Sequence, residues 1–170
     1  MQDVTIAPVR PADAAELIQA NLESRDYHAP WVKPFTDRDG FDNWFGRIMT
    51  GPNLGFVARE GSSGEIVGVV NLNEIVWGVF RSAYLGYYGM ARWSRRGLMT
   101  EAVRRTSLYA FEEIGLHRLE ANIQPDNTAS ILLVRRLGFA REGFSPQYLK
   151  IGDVWRDHDR WALLASNPAG

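Results

Sequence analysis

The sequence predicts an α+β fold, a central mixed sheet flanked by helices, in a single domain over residues 1–170. Three observations predict it. Apolar residues repeat in twos through "LGFVARE" and "IVGVVNLNEIVW", and the turn "GSSGE" between them marks a hairpin. The period becomes helical in "PADAAELIQANLES" and again after Gly97. The chain has 170 residues, 45% of them hydrophobic, enough for one well-buried core and too few for two full-sized domains.

The elements follow in order. "VTIAPVR" is a strand, and Pro11 suits the first position of a helix carrying Ala14, Leu17, Ile18 and Leu22 near helical spacing. "YHAPWVKPFTDRDG" is a loop with two prolines, a closing glycine and aromatics. "FDNWFGRIM" then sets Phe41, Trp44, Phe45, Ile48 and Met49 on one helical stripe. After the hairpin strands, "SAYLGYYGMA" is a third strand, and a helix over 98–114 is closed by Gly115. "HRLEANI" is a strand and "NTASILLVRRL" a helix closed by Gly138. The stretch from Phe139 to Leu164 supplies two last strands.

Composition excludes several functions. Nineteen Lys and Arg against 20 Asp and Glu leave no global field for nucleic acid, so any positive site is local. Cysteine is absent, which removes disulfides, zinc thiolates and a cysteine nucleophile together. His28, His117 and His158 are scattered, with no pair at metal-ligand spacing. The start "MQDVTIAPVR" has no secretory pattern, and the apolar runs are too short to span a bilayer. The expectation is a cytoplasmic protein with no metal, membrane or direct nucleic-acid partner.

One stretch stands out, "SRRGLMTEAVRR". A helix start already carries free N–H groups and about half a positive charge, yet Arg95 and Arg96 precede this one. Residues 91–105 hold five arginines against Glu101 alone. Two readings fit: Gly97 merely opens a helix beside solvated arginines, or the site awaits an anion such as a diphosphate.

"SRRGLMTEA" resembles the acetyl-coenzyme-A pyrophosphate loop of the GNAT N-acetyltransferases, whose pattern is Q/R-x-x-G-x-G/A. With "YLGY", "LHRLEANIQPDNTAS", "LGFAREGF" and "YLKIGDVWRDH", the stretch from about Val67 to Leu164 is similar to the RimJ/RimL type, the ribosomal-protein alanine acetyltransferases. The resemblance implies the GNAT fold, a mostly antiparallel twisted sheet, with acetyl-CoA as acyl donor. It places the diphosphate at Ser94, Arg95, Arg96, Gly97, Leu98, Met99 and Thr100. Ser94 replaces the usual Gln or Arg, Arg95 a common glycine, and Met99 the usual Gly or Ala. The pantetheine arm would run along Gly89, Met90 and Ala91 to Asn127, and Ser130 would lie near the sulfur. Asn127 also fits an N-cap, and Ser130 could equally satisfy a helix-start N–H. Where many members carry a tyrosine acid, this chain has Val134.

For the base, Glu74 shares strand parity with Ile66, Val70, Leu72 and Val76, which predicts a desolvated carboxylate. A bulge near Asn73 would instead turn it outward. Gln147 stands where relatives can present a carboxylate, and as an amide it can only position water. The acceptor side is expected at Trp31, Pro34, Gln147, Tyr148, Trp155, Arg156 and Asp157, although Trp31 and Trp155 also fit core anchors. His158 reads as structural.

The function expected is direct acetyl transfer from acetyl-CoA to an amine, by a monomer or homodimer. The favoured acceptor is the terminal α-amine of a protein, for instance a ribosomal protein. The alternatives are a small amine such as an antibiotic or polyamine, or an acyl-CoA-binding or ribosome-associated module without turnover.

Overall fold

The computed structural model describes residues 3–166. Seven strands form one sheet: β1 (Val4–Pro8), β2 (Leu54–Glu60), β3 (Ile66–Val76), β4 (Ser82–Gly89), β5 (Arg118–Ile123), β6 (Ala140–Ile151) and β7 (Val154–Leu164). Their order across the sheet is β1-β2-β3-β4-β5-β7-β6. Every pairing is antiparallel except β4 with β5, which is parallel and lasts only from Ser82↔Arg118 to Tyr84↔Glu120. The crossover between those two strands is the helix α4 (Leu98–Glu112), as a parallel connection requires.

The remaining helices are α1 (Ala14–Glu23), α2 (Arg25–His28), α3 (Arg38–Thr50) and α5 (Thr128–Arg136). Two layers of apolar side chains hold the helices other than α2 to the sheet. One is built on Val70, Leu72, Leu85 and Leu119 with Val103 of α4 and Val134 of α5. The other joins Val57, Val69 and Met90 to Leu17 of α1 and Phe41 of α3. Burying a side chain of this size contributes about 1.5–3 kcal/mol.

The helices differ in detail from their sequence patterns. Leu22 and Met49 face solvent, because each sits at the edge of its apolar stripe as the helix turns away from the sheet. The segment expected to be all loop, from Tyr27 to Gly40, begins with the end of α2 and ends inside α3. Helix α3 starts at Arg38, before its apolar stripe, because Asp37 caps it: its Oδ1 accepts the Gly40 N–H at 2.8 Å.

Candidate active site

The site begins where β4 and β5 part. Met90 donates its N–H to Val67 of β3 at 2.8 Å. Alternation along the antiparallel ladder therefore turns the backbone groups of Tyr87 and Gly89 toward β5. Beyond Tyr84 no β5 residue pairs with them, so β4 offers a bare edge inside the molecule. Of the three residues expected along this edge, Gly89 fits. Met90 turns its N–H to β3 and buries most of its side chain, while still bordering the groove beside α4. The Ala91 N–H is held by Ser24 Oγ at 3.0 Å. His28 Nε2 lies 2.8 Å from the Gly89 carbonyl, and burial lowers the imidazole's pKa, leaving a neutral ring to donate there.

The loop after β4 leads into α4 through two left-handed residues, Arg95 (φ 60) and Gly97 (φ 70). No side chain caps α4, in contrast to α3 and α5. The N–H groups of Leu98, Met99 and Thr100 make no hydrogen bond among the described residues. An uncapped helix start is suited to an anion. The arginines divide their work. Arg104 and Arg105 both bind Glu101, at 2.6 and 2.7 Å, and Arg92 binds Glu65 at 2.9 Å. Arg95 and Arg96 have no ion-pair partner among the described residues. Arg96 stacks on Trp93, 5.1 Å from its ring centre. Arg95 faces a groove of about 650 Å³, along with Ser94, Gly97, Met99 and Thr100, and Arg136 of α5 forms part of the opposite wall. The Leu98 side chain is core.

That groove runs into a smaller cavity of about 170 Å³, bounded by Trp31, Gly89, Met99, Asn127 and Ser130. Asn127 caps α5, its Oδ1 accepting the Ser130 N–H at 3.2 Å. The Ser130 hydroxyl is thus excused from capping and meets the Tyr87 hydroxyl at 2.6 Å instead. Burial pushes the Tyr87 phenol up to about 12, against the opposing pull of that hydrogen bond. Tyr87 escaped the sequence reading, although its parity with Ala83 and Leu85 marked it as a buried tyrosine in need of a partner. Val134 is buried in the core and offers no chemistry.

Past Tyr87 and Tyr88 lies a third cavity, of about 460 Å³, which includes Lys33, Pro34, Asn43, Arg47 and Asn71 in its walls. It meets at Gly86 a fourth, of about 410 Å³, walled by Asn73, Tyr84, Asn122 and Tyr148. Tyr148 and Gln147 are thrust out by an irregularity of β6 between Ser145 and Leu149, with Gln147 left-handed (φ 47) and its N–H bound to Asp157 Oδ1 at 2.8 Å. Trp31 is half-buried and its carbonyl accepts from Gln124 at 3.3 Å. Trp155 is 57% exposed near the tip of the β6–β7 hairpin, so it is no core anchor, and neither it nor Arg156 borders these cavities. His158 is buried, its Nδ1 2.9 Å from the Arg156 carbonyl.

Glu74 departs from its expected setting. The β3–β4 register shifts between Asn73 and Val76, Glu74 takes φ 50, and its N–H is captured by Asn53 Oδ1 at 2.9 Å. The bulge breaks the parity that would have buried the carboxylate, and the side chain is exposed. A desolvated base is not present at this position.

The GNAT acetyltransferase domain model matches residues 3–140. The chain belongs to the GNAT acetyltransferase family. It is 35% identical over 164 residues to the ribosomal protein uS5-alanine N-acetyltransferase of Escherichia coli, covering 91% of this chain and 84% of that protein. The structure of Mycobacterium smegmatis RimJ in complex with CoA-disulfide is similar with a TM-score of 0.84 at 30% identity, over 98% of this chain and 84% of that one. Spermidine N-acetyltransferase from Vibrio cholerae, in complex with CoA and spermine, shares the fold at 20% identity, with a TM-score of 0.80 over 95% of each chain.

This acetyltransferase uses acetyl-CoA as its donor. The residues present suit that molecule: a strand edge free of β5 past Tyr84, although His28 takes the Gly89 carbonyl, an uncapped helix start for a diphosphate, and beside it Arg95, without an ion-pair partner among the described residues. The donor supplies an activated acetyl thioester, which the chain has to hold while an amine reaches it.

Proposed function

We propose that the protein is a single-domain, cytoplasmic N-acetyltransferase that acts on the terminal α-amine of a protein. In this reading the loop from Ser94 to Thr100 binds the diphosphate, with Arg95 and the N–H groups of α4 as donors. Gly89 and Asn127 flank the pantetheine, Ser130 stands at the sulfur, and the acceptor enters past Trp31, Pro34, Tyr148 and the bulge at Gln147.

The observation that carries the choice of acceptor is the chemistry of the two cavities beyond Gly86. Their walls hold two cations, Lys33 and Arg47, four asparagines, and no carboxylate. A polyamine would bring further positive charges to Lys33 and Arg47, with no carboxylate in these walls among the described residues to pair with them. A peptide brings one ammonium followed by backbone amides, which Asn43, Asn71, Asn73 and Asn122 can pair with. The Oδ1 atoms of Asn71 and Asn122 lack any partner in the structure, and peptide N–H groups would satisfy them once the side chains turn toward the ligand.

An α-amine also suits a site without a buried carboxylate. Its pKa near 7.7–8.0 leaves much of it neutral at pH 7–8, whereas lysine near 10.4 would need a base. Its proton passes to water held by Tyr148 and the Gln147 amide, and from there to solvent. The test is an acetylation screen pairing alanine-starting peptides with spermidine-like polyamines and aminoglycosides. Turnover confined to peptides is expected. Brisk turnover of a small amine with none on peptides would move the acceptor to that class, and coenzyme binding with no turnover on either would leave a binding module.

A further inference from the structure

We infer that Tyr87 is a positioning residue for the sulfur end of the reaction, aiming the Ser130 hydroxyl hydrogen at the thiolate that leaves when the acetyl group is transferred. The inference rests on the reading that Ser130 lies beside the coenzyme sulfur.

The geometry has three parts. The two hydroxyls are 2.6 Å apart, and the Ser130 carbonyl lies 3.5 Å from the same Tyr87 oxygen. A carbonyl only accepts, so both oxygens of Ser130 invite the tyrosine hydrogen. The phenol is also the more acidic hydroxyl, which makes it the natural donor of the pair. Finally, Asn127 supplies the cap of α5, so the Ser130 Oγ has no duty to the helix. Once it accepts from Tyr87, its own hydrogen has no other partner among the described residues and is free to turn into the cavity that Ser130 lines with Gly89 and Met99. Burial keeps the phenol protonated across the whole working range of pH, so the orientation does not titrate away.

The balance of the step is simple. The amine nitrogen bonds to the acetyl carbon, the C–S bond breaks, and its electron pair stays on sulfur. The amine's extra proton goes to solvent water. Ser130 donates a hydrogen bond to the thiolate without giving up its proton, and Tyr87 holds Ser130 in the rotamer that can do so. A hydroxyl pair oriented in advance stabilises charge at the leaving atom with no reorganisation at the moment of reaction.

The experiment titrates the thiol of free coenzyme A bound to the protein, by the ultraviolet absorbance of the thiolate, in wild type, Ser130→Ala, Tyr87→Phe and the double variant. It needs no acceptor. A lost hydrogen bond to the charged form should raise the bound thiol's pKa by roughly half a unit to one unit in both single variants. The double variant should equal Ser130→Ala, because Tyr87 acts only through Ser130. On whichever amine is turned over, Tyr87→Phe should lower kcat about tenfold with KM for acetyl-CoA nearly unchanged. A raised pKa in Ser130→Ala with an unchanged one in Tyr87→Phe would overturn the inference alone. An unchanged pKa in Ser130→Ala would remove Ser130 from the sulfur and take the underlying reading with it. Shifts that add in the double variant would show Tyr87 acting by another route and also overturn the inference.

Discussion

Met99 lies across Gly89. A Cβ built on Gly89 would sit 2.8 Å from Met99 Cγ, and one built on its register partner Gly68 would collide with the Met99 sulfur. The position that in relatives carries Gly or Ala therefore holds a long side chain here, and two glycines beneath it make the room. Gly89→Ala should push Met99 into the cavity it shares with Ser130, weakening coenzyme A binding roughly tenfold while the fold survives. Adding Met99→Ala should restore most of the affinity. Calorimetric titration of the single and double variants checks both halves.

Arg95 occupies left-handed backbone, which costs a non-glycine residue about 1–2 kcal/mol. Arg95→Gly should therefore raise stability in chemical denaturation by about 0.5–1 kcal/mol, the relief being trimmed by a more flexible unfolded chain. Affinity for coenzyme A should fall, since the only arginine of the loop facing the groove is lost. Stability and binding moving in opposite directions is the expected signature of a residue kept for its charge.

Glu101 is held at about 2 by its hydrogen bonds to Arg104 first and then Arg105, with burial pulling the other way. A carboxyl whose folded pKa is depressed contributes stability above its unfolded value, near 4.5, and loses it as pH falls toward 2. Glu101→Gln should destabilise the protein at pH 7, and the gap from wild type should close as the pH drops between those values. Urea denaturation at pH 7, 4 and 3 measures it.

Glu74→Gln should change kcat/KM by less than about twofold at every pH from 6 to 9, because this carboxylate is exposed on a bulge and lines none of the cavities around β4. A rate deficit that grows as pH falls would restore Glu74 as a base.

The sequence carried the elements of the fold and the glycine-opened, uncapped start of α4, because these rest on local signals: period, caps and the glycine at that helix start. Glu74 shows where such signals end. Its strand parity is correct up to Asn73, and the break comes from Asn53, which is 21 residues earlier and takes the Glu74 N–H. The Ser130 capping alternative failed for a local reason that was in principle visible, since Asn127 is three residues upstream and is the better cap. His28 and Ser24 could not be anticipated at all. Their hold on Gly89 and Ala91 joins elements more than 60 residues apart, through two short polar side chains on a helix junction.

The brief pairing of β4 with β5 has a wider consequence. Three residue pairs hold the strands, and past them one wall of the cleft is backbone, which any sequence can supply. The groove beside α4 and the cavities proposed for the acceptor meet around Val32 and Gly86–Gly89, and the latter take their distinctive side chains from the α2–α3 segment, α3, β3, β5 and the irregular part of β6. Two halves so weakly coupled can diverge independently. Grafting a foreign α2–α3 segment and β6 bulge onto this chain should redirect it to new amines while its demand for the same acyl donor is inherited unchanged.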